Sequence, residues 1–203
     1  MVFPMLGCSS RQESRKTKIE SEVWRVEKDS ATTRPEIGVL LGSASDLDSV
    51  EPAFQILQDL QIPYEVAVIS AHRTPHLLSE YASTAKGRGI KAIVAAAGLS
   101  AALPGAVASL VDLPVIGIPV DAGPLRGVDA LISMAQMPPG VPVGAVGIGG
   151  AKNAALLAAR ILGTGDSAIS EKLASYRKSQ EEDTVRKGDL VSAKGLPQWQ
   201  NTH

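Results

Sequence analysis

The sequence predicts an α/β fold with a mainly parallel, three-layer sheet. Three observations carry this reading. Short apolar runs alternate with stretches of helical periodicity from Ile37 onward. The runs are bounded by glycine, proline and serine rather than by hairpin turns. Finally, 44% of the 203 residues are hydrophobic but only 3% aromatic, a small-residue composition suited to close packing of helix on sheet.

Residues Met1 to Pro35 are polar, mixed in charge and without sustained periodicity, and read as a flexible N-terminal extension. An α/β domain is expected over 36–187. The first strand is Ile37 to Leu41. Next comes a helix from about Asp46 to Leu60, with Val50, Phe54, Leu57 and Leu60 at helical spacing and two aspartates in its first turn. The second strand, Glu65 to Ile69, leads through Ser70-Ala71-His72-Arg73 to a helix capped by Thr74, with Pro75 at its first position, where a missing N–H costs nothing. Gly87 and Gly89 end it.

Ala92 to Ala97 reads as the third strand, followed by a short helix over Pro104 to Leu110. Val115 to Ile118 is the fourth strand. A glycine-rich turn, Asp121 to Gly127, precedes a helix over Val128 to Gln136, and Val141 to Ile148 is the fifth strand. Asn153 to Leu162 is alanine-rich and expected to be buried on both sides. A last helix is expected over Ser167 to Arg186, then an irregular tail over 188–203.

Composition excludes several function classes. A nearly balanced formal charge of -1 does not point to nucleic acid or an acidic membrane surface as partner. With one cysteine, Cys8, no disulfide can form within the chain. With seven residues before Cys8, no basic start and no full apolar run, no lipoprotein leader is expected. No apolar stretch is long and uninterrupted enough to span a bilayer: glycine, proline and Asp112 break up Ala92 to Val120. A cytoplasmic location is expected. Three scattered histidines and one cysteine supply no metal set, and no cofactor fingerprint is present.

What remains are two loops. Gly42-Ser43-Ala44-Ser45-Asp46 offers a sharp turn, hydroxyls and a helix start, a combination suited to an anion. It could equally be an ordinary capped turn. Ser70-Ala71-His72-Arg73-Thr74-Pro75 sets a group that can exchange a proton near neutrality beside a guanidinium able to grip phosphate. Of the three histidines, His76 falls on an exposed helix turn and His203 is terminal, which leaves His72 as the acid/base candidate. In a parallel sheet both loops open on the same carboxyl edge.

These residues, with Leu103-Pro104-Gly105, Gln136-Met137-Pro138 and Asn153-Ala154-Ala155-Leu156-Leu157-Ala158-Ala159, resemble the PurE family of de novo purine biosynthesis over about Glu36 to Tyr176. The resemblance implies a flavodoxin-like subunit, a homo-octamer with active sites where subunits meet, and an aminoimidazole ribonucleotide substrate. It implies neither a metal nor an organic cofactor. One class of the family moves a carboxylate from the exocyclic nitrogen to C4; the other adds CO2 directly. Carried over by motif, Ser43, Asp46 and Arg73 hold the ribose phosphate with Ser70 nearby, His72 is the acid/base, and the backbone at Gly98 borders the carboxylate. Mutase-class members usually carry histidine where Ala102 stands, and Lys152-Asn153 looks more like the direct carboxylases. Arg73-Thr74-Pro75 and Gln136-Met137-Pro138 look more like mutases, the reading favoured here. A carboxylase of another nucleotide and a non-catalytic nucleotide-binding protein are the remaining alternatives.

Overall fold

A computed structural model describes residues 34–195, so the N-terminal extension up to residue 33, Cys8 and His203 lie outside the described residues. Five strands form one parallel sheet: β1 (Ile37–Leu41), β2 (Tyr64–Val68), β3 (Ala92–Ala97), β4 (Val115–Pro119) and β5 (Gly144–Ala145). Their order across the sheet is β2-β1-β3-β4-β5. This is the flavodoxin-like order, whose ligand crevice lies beyond the carboxyl ends of β1 and β3, where the winding reverses.

Every residue of β1, β3 and β4 is buried, as strands covered on both faces require. On one face Ile37, Val39 and Leu41 of β1 pack with α1 (Leu47–Asp59) and α5 (Ala151–Gly163). On the other, Leu40, Ile93 and Ala95 pack with α2 (Pro75–Arg88), α3 (Ala102–Ala108) and α4 (Val128–Ala135). A final helix, α6 (Ser167–Ala193), leans on α5.

Four expectations need correction. The fifth strand shrinks to two residues because Pro142 cannot donate a ladder bond and Gly147 begins a turn, leaving only Gly144 and Ala145 paired with β4. The alanine-rich helix α5 is buried on one face, not two. Ala151, Ala154, Ala155, Ala158 and Ala159 form a small-residue stripe, while Lys152, Asn153, Leu157 and Arg160 face outward. The last helix runs through Gly188 to Ala193, so residues 188–193 are helical. One glycine costs a helix only about 1 kcal/mol, too little to end it there. Lastly, Thr74 occupies the cap position of α2 without capping it; its hydroxyl is engaged elsewhere.

Candidate active site

Three loops leave the carboxyl edge of the sheet side by side. Leu41 of β1 is in register with Val68 of β2 and Ala96 of β3, so the chain departs from neighbouring strands at one level.

The first loop folds tightly on itself. Ser43 is extended (φ -150°) and starts a single 3₁₀ turn, Ala44–Asp46, that runs into α1. The Ser43 hydroxyl accepts from the Ser45 N–H at 3.3 Å, and the Asp46 carboxylate accepts from the Ser43 N–H at 3.0 Å. This reciprocal capping box satisfies the helix start from within. Asp46 is the only buried charged side chain among the described residues. Burial raises its carboxyl above the ordinary value, against the lowering effect of the Ser43 and Ser45 hydrogen bonds. Gly42 lies close by: a Cβ there would stand in ordinary contact, 3.5 Å from the Ala96 carbonyl oxygen and 3.6 Å from Asp46 Oδ2.

The second loop is braced by hydroxyls. Thr74 Oγ1 accepts from the Ser70 N–H at 3.0 Å and donates to the Ser70 carbonyl at 3.1 Å. Ser70 Oγ in turn accepts from the Arg73 N–H at 3.2 Å and from Arg73 Nε at 3.3 Å. The guanidinium then reaches across to the first loop, where Nη2 lies 3.5 Å from the Gly42 carbonyl oxygen. No carboxylate pairs with Arg73 among the described residues. Among the described residues no ion pair explains it, and Arg73 lines the cleft between the loops.

Sequence reasoning missed the geometry of the third loop. Leu99 and Ala101 both adopt left-handed backbone (φ 56° and 33°), which is unfavourable for any residue with a Cβ. Gly98 is hemmed in: an added Cβ would stand 2.9 Å from the Ala122 Cβ. A glycine at position 99 or 101 would have been the usual signal, and neither position has one.

Together the loops enclose a cleft of about 570 Å³. All six predicted residues line it: Ser43, Asp46, Ser70, His72, Arg73 and Gly98. Its far wall is apolar, built from Ala97, Ala101, Ala102, Leu103 and Ala122. His72 and Arg73 are both exposed. Lys152 and Asn153 do not line this cleft. Among the described residues no three His, Cys, Asp or Glu side chains gather as a metal site requires. No described helix is long and apolar enough to cross a membrane.

The arrangement therefore combines a tight hydroxyl-bearing turn, a guanidinium with no carboxylate partner among the described residues, an imidazole and an apolar wall. Residues 36–183 match the family model described as AIR carboxylase. The chain belongs to that family. It is 52% identical over 147 residues to the N5-carboxyaminoimidazole ribonucleotide mutase of Pyrococcus abyssi, covering 72% of this chain and 84% of that protein. The corresponding mutase of Thermotoga maritima is 44% identical, with 82% and 98% covered. It is also 47% identical to the phosphoribosylaminoimidazole carboxylase of Saccharomyces cerevisiae over 81% of this chain, a match spanning 29% of that longer protein. Among solved structures, Treponema denticola PurE superposes with a TM-score of 0.71 at 30% identity, covering 78% of this chain and 99% of the other. The expected family and flavodoxin-like α/β fold are thus both borne out.

Proposed function

We propose that this AIR carboxylase family member converts N5-carboxyaminoimidazole ribonucleotide to 4-carboxy-5-aminoimidazole ribonucleotide in purine biosynthesis. The observation that carries the reading is the meeting of His72 and Arg73 with the Gly42–Asp46 turn in one cleft. Arg73 supplies the charge and planar donors that a phosphate needs, and the 3₁₀ turn adds the hydroxyls of Ser43 and Ser45. Asp46 orders that turn, and Ser70 aims Arg73.

With the phosphate gripped there, the imidazole ring extends toward His72 and the Gly98 loop. Loss of CO2 breaks the N–C bond and leaves its electron pair on the exocyclic nitrogen, which takes up a proton. C4 then attacks CO2, a C–C bond forms, and the C4 proton departs. One proton is consumed and one released, so a single imidazole that gives and recovers it is enough. The apolar wall keeps the freed CO2 near C4, where proximity replaces a bimolecular encounter. Neither step calls for a cofactor.

The natural setting is a cytoplasmic homo-octamer, in which a neighbouring subunit covers the exposed His72. Direct carboxylation of 5-aminoimidazole ribonucleotide is the second reading. It is favoured by Ala102, which leaves the third loop without the histidine usual in mutases. The decisive experiment gives purified protein each imidazole substrate, with and without bicarbonate. Product from the N-carboxylated substrate, with no label taken up from free bicarbonate, supports the mutase. Product only from aminoimidazole ribonucleotide and CO2 replaces it with the carboxylase.

A further inference from the structure

Leu99 combines three properties that rarely coincide. Its backbone is left-handed at φ 56°. The residue is 52% exposed and lines the cleft. Yet its side chain bears on the next loop: a Cβ added to Gly123 would lie 2.5 Å from Leu99 Cδ2. Gly123 is itself left-handed (φ 68°), a conformation glycine adopts freely, so the strain lies on Leu99 alone. One residue earlier the pattern repeats, with Gly98 fitted against Ala122. Consecutive residues of the third loop are therefore keyed to consecutive residues of the Asp121–Gly127 loop.

The Asp121–Gly127 loop carries constraints of its own. Arg126 (φ 51°) closes it with a fork onto Asp121, with Nε to Oδ1 at 2.7 Å and Nη2 to Oδ2 at 2.8 Å. Gly127 (φ 84°) adds a further constraint: a side chain there would strike the Val120 carbonyl at 2.9 Å.

Neither solvent exposure nor core packing accounts for a strained leucine at this position. An exposed residue in left-handed backbone is better served by glycine or asparagine. Strain held by its surroundings at a cleft is a recurrent mark of positioning. We propose that Leu99 is a positioning residue: by seating on Gly123 it fixes the Gly98–Ala101 wall at the distance from His72 that carboxylate transfer requires. This rests on the proposed function. The phosphate grip lies on the other two loops, so Leu99 should govern the chemical step and leave ribonucleotide affinity alone.

The test is steady-state kinetics on the full chain, with wild type, Leu99→Gly, Leu99→Met, Gly123→Ala and the Leu99→Gly/Gly123→Ala double variant. Loosening the wall should lower kcat of Leu99→Gly roughly tenfold or more, since small misplacements carry large rate costs. Its KM should stay within about twofold, and its melting temperature should hold or rise as the strain is relieved. Leu99→Met, which can still reach Gly123, should recover most of the rate. Gly123→Ala should lower kcat alone but add little to Leu99→Gly, as coupled neighbours do. The proposal is overturned if Leu99→Gly keeps wild-type kcat, if its loss of rate tracks a fall in melting temperature, or if the two substitutions act independently. A wild-type protein inactive on both imidazole substrates overturns the functional reading first, and this proposal with it.

Discussion

Arg73 Nη2 and the Gly42 carbonyl oxygen lie 3.5 Å apart although 31 positions separate them in the chain. The contact is long for a hydrogen bond and contributes little by itself. Its value is geometric: with Ser70 bracing Arg73, it marks where the guanidinium of one loop reaches the turn of the other. Parallel pairing of β1 and β2 in register, Leu41 with Val68, makes it possible.

Replacing that fork should damage binding more than chemistry. Arg73→Lys keeps the charge but loses planar, bidentate geometry and the Nε bond to Ser70. A charge-assisted contact of about 1.5–3 kcal/mol implies roughly a 10- to 100-fold fall in kcat/KM. Most of it should appear in KM, read from initial rates at varied ribonucleotide concentration. An unchanged KM would remove the guanidinium from the phosphate site.

His72→Asn tests the proton-transfer role. Loss of a general acid/base should lower kcat by about 10²- to 10⁴-fold while KM moves little. Far-ultraviolet circular dichroism should match wild type, because His72 is exposed and lies in a loop. Wild-type turnover by this variant would exclude the imidazole from the reaction.

Much of this was legible from residue order. Ile37–Leu41, Ala92–Ala97 and Pro75 as the first residue of a helix follow from apolar runs and proline placement, signals that act locally. The cleft was legible because a parallel sheet brings successive strand-to-helix loops to one edge. Contacts made after folding were hidden. Thr74 has the chemistry of a cap, but its hydroxyl found both donor and acceptor on Ser70. Leu99 carries no mark of left-handed backbone, because its reason for being there is Gly123, 24 positions later.

Asp46 should leave a signature in stability against pH. Burial raises its carboxyl in the folded protein above the ordinary 3.8, so the native state binds its proton more tightly than the unfolded chain. The charged form therefore lowers stability at neutral pH. That penalty is relieved as pH falls through the folded value toward 3.8, and below 3.8 the relative gain is complete. Asp46→Asn keeps an oxygen for the Ser43 N–H but carries no charge. Chemical denaturation at stepped pH should show wild type gaining on the variant as the solution is acidified through that window. A difference that stays flat, or runs the other way, would mean the turn is held chiefly by the ionised carboxylate.

The last prediction concerns the opposite end of the sheet, where Gly38 of β1 meets Tyr81 of α2. A Cβ on Gly38 would lie 2.1 Å from the Tyr81 hydroxyl oxygen and 3.3 Å from the ring carbon bearing it. The ring cannot simply swing aside. Arg88 stacks over it at 4.6 Å and is itself tied to Glu65 at 2.7 Å. Gly38→Ala should therefore cost about 1–3 kcal/mol of unfolding free energy, the usual range for overfilling a packed core. Tyr81→Phe should be nearly neutral, within about 1 kcal/mol, because the buried hydroxyl closes no hydrogen bond among the described residues. Combined, the two changes remove the clashing oxygen and supply the methyl, so the double variant should recover most of the loss. Equilibrium denaturation of all four proteins gives the coupling directly. Additive losses would show that Gly38 is needed for its backbone freedom rather than for the space it leaves to Tyr81.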